Sequence, residues 1–364
     1  MAEALKRSAG FHMPLAVFER GGSEKPLRIV VLDTAASKTG ALSVLKDYYS
    51  FVQSLKDNNE WFFIIGVKGL IEEDPDKPTI RVILREDVKK SRIVRLLFDH
   101  FTGSGFLRGL KPDVILSLQN TLPAGAEKIA QTEIYLHQPL GFQKIKKFSF
   151  FDKWERELAV YQHLIAGEID RSLKRADRII VQTKWMKDAV IEKDGIAAGK
   201  IDVIPPFVEL CQPEDAELCK PIRFIFPAGC ILYKNHQCII DAVGLLVKKG
   251  IRDFIVIFTE RKENLPWVHV PSECEELTEW RGMIPREELT ELYKKSILLF
   301  PSYIETFGLP LAEARSLGRP VIAADTPFAR EILSGYDKAE FFDPFDPAAL
   351  AELMTKTQDD KNAG

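Results

Sequence analysis

The chain is poor in the features that would place it in several large classes. No apolar run approaches the ~20 residues needed to cross a bilayer. The opening MAEALKRSAGFHMPLAVFERGG has no long apolar core ending in small residues, so it does not read as a secretory signal. Glycine-rich phosphate loops are missing too. Neither G-x-G-x-x-G nor G-x-x-x-x-G-K-[ST] occurs, which excludes a dinucleotide fingerprint and a P-loop. Cysteine is scarce: Cys211, Cys219, Cys230, Cys238 and Cys274 are odd in number and form no C-x-x-C pair. No histidine cluster completes a zinc site. A reducing, cytoplasmic compartment is the expectation. Internal repeats and low-complexity tracts are also absent.

What remains is a chain of 364 residues, 46% hydrophobic and 28% charged, long enough for two domains. The net charge of −3 hides an asymmetry. Residues 1–206 hold 32 Lys and Arg against 27 Asp and Glu, and the remainder hold 18 against 26. Only the first half is suited to an anionic surface. Pro205-Pro206, followed by polar residues without periodicity, marks the boundary. The expected organisation is a leader or tail at 1–26, a first domain at 27–206 and a second at 207–364.

Short apolar runs alternate with amphipathic helical patterns in both halves. Leu27–Leu32, Trp61–Val67, Thr79–Leu84, Asp113–Leu118, Glu133–His137 and Arg178–Gln182 read as strands of the first domain, and Lys200–Ile204 leads into Pro205-Pro206. Ile222–Pro227, Asp253–Thr259, Ile297–Phe300 and Val321–Ala324 read as strands of the second, and Thr278–Ile284 precedes a helix start at Pro285. The runs do not alternate apolar with polar, as expected of parallel strands covered on both faces. The pattern predicts Rossmann-like α/β units.

The most informative stretch is FPSYIETFGLPLAEARSLGRPVIAA, from Phe300 to Ala324. It predicts a strand, a turn at Gly308 and Pro310, a helix, then a strand. A helix start carries unpaired N–H donors and partial positive charge, so the amides of Phe307, Gly308 and Leu309 suit a phosphate. Glu305 in the loop and Glu313 on the helix cannot serve that phosphate. They suit neutral hydroxyl groups beside it. The alternative is a helix cap with a surface glutamate.

With Glu305 and Glu313 as its E-x7-E pair, this stretch resembles the donor site of retaining glycosyltransferases of family 4. The resemblance covers most of residues 27–350. It implies an α/β chain of GT-B fold, with two Rossmann-like domains whose parallel sheets face across a cleft. It also implies that Glu305 holds sugar hydroxyls, Glu313 holds the ribose, and Thr306 through Leu309 line the donor. Lys234, in a Lys-Asn pair, matches the phosphate-binding lysine. Gly40 matches the glycine that admits the diphosphate, and a plain helix-start glycine is its alternative. His137, two residues before Pro139, matches the histidine beside the reacting sugar, and a histidine bonded to a loop carbonyl is its alternative. Met283 and Ile284 match the loop that borders the nucleobase through main-chain atoms. Two departures stand out. Cys230 replaces an arginine that many members place after the strand, and the chain stops near the helix at 344–353 instead of running on into one that crosses back.

The resulting expectation is a hexosyltransferase that takes a sugar from a GDP- or UDP-linked donor. The acceptor would be a saccharide or a lipid-linked saccharide, in surface polysaccharide or glycolipid synthesis. No metal and no other cofactor is implied, the nucleotide-sugar being a substrate. A nucleotide-sugar 2-epimerase and a non-catalytic sugar-nucleotide-binding module are the alternatives. The segment Phe142–Phe151, FQKIKKFSFF, interleaves lysine with aromatics. It reads either as a solvated loop or as contact with an anionic membrane at the inner face. Nucleic acid is not an expected partner, because no RNA-binding motif or strongly basic domain is present.

Overall fold

The computed structural model describes residues 25–37, 39–206, 208 and 220–362. The chain divides into two compact units. The breaks fall between Gln143 and Lys144, between Glu157 and Leu158, and between 207 and 208, so that Lys144–Glu157 belongs with the second unit.

The first unit is a seven-stranded parallel sheet in the order β3-β2-β1-β4-β5-β6-β7. Its strands are β1 Arg28–Asp33, β2 Glu60–Ile65, β3 Ile80–Leu84, β4 Val114–Ser117, β5 Gln131–Tyr135, β6 Arg178–Val181 and β7 Ile201–Val203. Successive side chains feed two cores. Val30, Leu32, Phe62 and Ile64 join one buried cluster. Ile29, Val31, Trp61, Phe63 and Ile65 join the other. Two covered faces explain why the strands read as unbroken apolar runs. Each fully buried Val, Leu, Ile or Phe contributes about 1.5–3 kcal/mol relative to exposure.

The second unit is a six-stranded parallel sheet ordered β10-β9-β8-β11-β12-β13. It comprises β8 Ile222–Phe226, β9 Phe254–Phe258, β10 Thr278–Trp280, β11 Ile297–Phe300, β12 Val321–Ala324 and β13 Ala339–Phe342. Its core is aromatic, with Phe224, Phe226, Phe254, Phe258, Phe300 and Phe328 all fully buried. In each sheet the strand order reverses once, between β1 and β4 and between β8 and β11. Ligands of open α/β sheets bind at the carboxyl ends of the strands beside such a reversal.

Several details differ from the sequence reading. β13 was not expected. β5 stops at Tyr135, leaving His137 in the loop beyond it. The long helix expected over Trp154–Arg175 is helical at Arg156–Val160 and Ala166–Arg175, with a π turn at Tyr161–Ile165 between them. The last helix runs over Pro347–Asn362 and packs on the helix His236–Lys248. In the Lys-Phe segment, Phe142 and Phe148 are buried, at 5% and 3% exposure, so these two rings cannot enter a lipid headgroup layer. Lys193 lies over the Phe142 ring at 4.6 Å, and Lys146 pairs with Glu155 at 2.6 Å. The Trp154 ring meets that of Trp267 edge-on at 5.7 Å.

Candidate active site

In the second unit, the loops after β8 and β11 form the candidate donor site. The β8 loop ends in a 3-10 turn, Leu232–Lys234. Asn235 follows with φ 64°, a left-handed conformation that asparagine tolerates better than most residues. Its side-chain amide donates to the carbonyl oxygens of Pro344, at 2.7 Å, and Pro301, at 3.3 Å. The Tyr303 N–H donates to the Tyr233 carbonyl at 3.2 Å. The bonds to Pro301 and from Tyr303 stitch the β8 loop to the β11 loop, the bond to Pro344 ties it to the loop after β13, and Lys234 is set against Glu305. The Lys234 ammonium donates to Glu305 Oε1, with the two side chains 18% and 16% exposed.

Three residues beyond Glu305 comes Gly308, at φ +88°. A Cβ there would lie 3.1 Å from Leu311 Cδ1 and 3.5 Å from Phe328 Cδ2, so both conformation and packing favour glycine. The helix Leu309–Ser316 starts at that point, with Pro310 in its first turn. Phe307 is buried, Thr306 is half-buried and Leu309 is exposed. Glu313 sits on the second turn. It accepts from the Tyr293 hydroxyl at 3.0 Å and pairs with Arg286 at 3.2 Å. Burial and the neighbouring Glu313 carboxylate raise the Tyr293 hydroxyl well above its ordinary pKa, so it stays a neutral donor. Tyr293 and Arg286 lie on the helix Arg286–Lys294, which the sequence shows only as a helix start.

The nucleobase loop is less committed. The Met283 side chain is 96% exposed, and Ile284 is half-buried. The neighbouring Gly282 takes φ +69° against Arg261. The exposed Cys230 lies in the β8 loop where an arginine was expected. His236, which follows Asn235, is a core residue. It is 1% exposed against Phe226 and Phe258, and burial lowers its pKa to about 4. Among the described residues, no group of three or more His, Cys, Asp and Glu is arranged to hold a metal ion.

In the first unit, the loops after β1, β4 and β5 carry the other candidates. His137 Nε2 lies 2.7 Å from the Leu118 carbonyl oxygen. A carbonyl only accepts, so Nε2 carries the proton and Nδ1 is the acceptor nitrogen. This is the loop-carbonyl contact that the sequence reading weighed against a chemical role. The His137 N–H donates to Asn120 Oδ1 at 2.8 Å, with Asn120 at φ 66°. Burial lowers the imidazole pKa, so the ring stays neutral at physiological pH. Gly40 is the second residue of the helix Thr39–Ser54 and is exposed. A Cβ there would meet no atom within 4 Å, so packing within the protein does not require glycine.

Asp33 and Gln119, which no sequence signal singled out, lie at the strand-order reversal. Asp33 Oδ1 accepts from the Ala36 N–H at 3.0 Å, while Oδ2 has no hydrogen-bond partner. Gln119 Oε1 accepts from the Thr34 N–H at 3.1 Å and from its hydroxyl at 2.9 Å. Gln119 Nε2 is buried without a partner.

These two α/β units and the loop chemistry of the second define a GT-B type of protein. The fold is similar to that of HepE from Anabaena, solved in complex with UDP-glucose, at a TM-score of 0.59 and 16% identity over 92% of this chain and 91% of that one. It is similar also to sucrose-phosphate synthase from Thermosynechococcus elongatus, at a TM-score of 0.63 and 16% identity over 93% and 91% of the two chains. Residues 68–212 match the model of Glycosyltransferase Family 4, and residues 215–363 match that of Glycosyl transferases group 1. The chain belongs to the family 4 glycosyltransferases. Among curated relatives, the D-inositol 3-phosphate glycosyltransferase of Streptomyces avermitilis is 24% identical over 54% of this chain and 47% of its own length. The O-antigen chain mannosyltransferase RfbU of Salmonella typhimurium is 23% identical over 60% and 62%. The matched region thus spans about half to three-fifths of these relatives.

Proposed function

We propose that the protein is a retaining hexosyltransferase, with a nucleotide-diphosphate sugar as donor and a saccharide or lipid-linked saccharide as acceptor. The observation that carries this reading is the Lys234–Glu305 pair at the β8/β11 reversal, beside the Gly308-led helix start. Without donor, each ion satisfies the other. When a diphosphate arrives, Lys234 turns to its oxygens together with the amides of Phe307, Gly308 and Leu309, and Glu305 is released to the sugar hydroxyls. The lysine and the amides then oppose the negative charge that builds on the leaving diphosphate. Glu313, held by Tyr293 and Arg286, is aimed at the ribose, and the main chain at Met283 and Ile284 at the base. In the first unit, we assign Gly40 to close approach of the diphosphate and neutral His137 to hydrogen bonding with the transferred sugar.

The relatives' names support hexose transfer and bear on the donor. HepE binds UDP-glucose, and RfbU is a mannosyltransferase. A thermal-shift screen of UDP-, GDP-, ADP- and dTDP-sugars is the first test. A ligand at 100 times its dissociation constant adds about 2.7 kcal/mol of stability. A shift with one nucleotide class, followed by transfer with the anomeric configuration of the donor, supports the reading. An inverted product, or a 2-epimer formed without acceptor, overturns it.

A further inference from the structure

We infer that Glu260 and Arg261 select guanine as the base of the donor, an assignment that rests on the nucleotide-sugar site proposed above. Both residues follow β9, and the loop after β10 runs beside them. The Arg281 N–H donates to the Phe258 carbonyl at 3.0 Å, and the Gly282 N–H donates to that of Glu260 at 3.4 Å. In the sheet order β10-β9-β8, the pair stands between Lys234, after β8, and the loop of Met283 and Ile284, after β10. Burial and the Lys234 charge lower the His236 pKa while the Glu260 carboxylate opposes them, so Glu260 and Lys234 lie within electrostatic reach of one ring.

Both side chains are held in place. Glu260 Oε1 accepts from the Arg261 N–H at 2.8 Å and from Asn264 Nδ2 at 2.7 Å, which fixes the carboxylate and leaves Oε2 without a partner among the described residues. The Arg261 stem lies against Gly282. A Cβ on Gly282 would stand 3.1 Å from Arg261 Cγ and 3.2 Å from its Nε, so the glycine makes room for the arginine, and its φ of +69° favours glycine as well. The other cations nearby are engaged. Lys234 pairs with Glu305, Lys262 with Glu275, Arg281 with Glu279 and Glu288, and Arg286 with Glu313. The Arg261 guanidinium, laid along the base loop, has neither ion pair nor hydrogen bond among the described residues.

A guanidinium offers only donors, and an ionised carboxylate only acceptors. Guanine answers both. Its O6 and N7 are adjacent acceptors, the pair that an arginine grips with two parallel bonds. Its N1–H and 2-amino group are adjacent donors, which suit a fixed carboxylate. Adenine sets an amino donor beside N7, and a guanidinium has nothing to accept it. Uracil holds its single N–H between two carbonyl oxygens and has no adjacent pair of either kind.

Titration calorimetry of the full chain with GDP, UDP and ADP tests the selection. GDP is expected to bind more tightly than either of the others by roughly tenfold or more. Arg261→Met is expected to lower the GDP affinity by roughly tenfold, and to lower that of 7-deaza-GDP, which lacks N7, by less. Glu260→Gln is expected to weaken GDP more than IDP, which lacks the 2-amino group. Both variants keep the UDP affinity within a few-fold of the parent, which verifies that the fold and the diphosphate site are intact. UDP or ADP bound as tightly as GDP, or more tightly, overturns the selection of guanine and leaves the transfer reaction standing. Equal losses of GDP and UDP in the variants overturn the base contact, because a general weakening of the site produces them. A parent that binds none of the three nucleotides overturns the donor site itself and the selection with it.

Discussion

Lys234 and Glu305, 71 residues apart in sequence, form an ion pair across the carboxyl ends of β8 and β11. Both are mostly shielded from solvent, so removing one partner leaves an uncompensated charge. Two variants separate their duties. Glu305→Gln keeps the shape and removes the carboxylate. Its transfer rate is expected to fall by about 100-fold or more, with donor affinity within a few-fold of the parent. Lys234→Ala is expected to weaken donor binding by roughly tenfold or more, since it removes a charge from the diphosphate site. Titration calorimetry with the donor and steady-state kinetics check both. Unaltered affinity in Lys234→Ala removes the lysine from the phosphate site.

Gly308 tests the helix start independently of charge. At φ +88° an L-residue is strained, and a methyl group would press on Leu311. Gly308→Ala is expected to cost about 1–2 kcal/mol in urea unfolding of the second unit. It also tilts the first amides of Leu309–Ser316, so donor affinity falls with the stability. A variant as stable as the parent would show that the loop relaxes without penalty.

How much of this was legible in the sequence follows from what each element touches. The strands feeding both cores, such as Val30 with Val31 and Phe62 with Phe63, announced themselves as continuous apolar runs. β13 did not, because AEFF is short and mostly half-buried at the sheet edge. The E-x7-E spacing was readable, since one loop and one helix carry it. The partners of Glu313 were not. On paper, REELTELYK is a solvated helix face, and only packing turns Arg286 and Tyr293 towards the carboxylate. The pairing of Lys234 with Glu305 depends on β8 lying next to β11, an order no local pattern contains. The excursion of Lys144–Glu157 into the second unit left no mark in composition, and so the burial of Phe148 went unseen.

Asn120 positions His137 through the amide oxygen that accepts its N–H. Two substitutions distinguish this bond from the left-handed backbone that carries it. Asn120→Gly tolerates φ 66° and loses only the bond, whereas Asn120→Ala loses the bond and strains the backbone. The glycine variant is expected to lose about 1 kcal/mol and the alanine variant about 1–2 kcal/mol more. If His137 serves the sugar, both lower kcat with donor affinity kept. If it is purely structural, kcat follows neither.

Asp33 provides a pH test with a definite sign. Burial raises its carboxyl from the ordinary 3.8 to about 6, despite the opposing charges of Arg95 and Lys89 and the Ala36 hydrogen bond. The folded chain therefore holds this proton more tightly than the unfolded chain does. Stability from this group is fully present below pH 4 and is lost as pH rises towards and through 6. The lost amount is roughly 3 kcal/mol, two powers of ten in proton affinity. Asp33→Asn keeps an oxygen for the Ala36 N–H and removes the titration. It is expected to gain stability relative to the parent as pH rises from 4 to 7, and to show no advantage at pH 4. Urea unfolding of parent and variant across that range is the measurement. A difference that does not vary with pH would mean that Arg95 and Lys89 hold the carboxylate ionised throughout, so that the end of β1 carries a permanent negative charge instead of a proton.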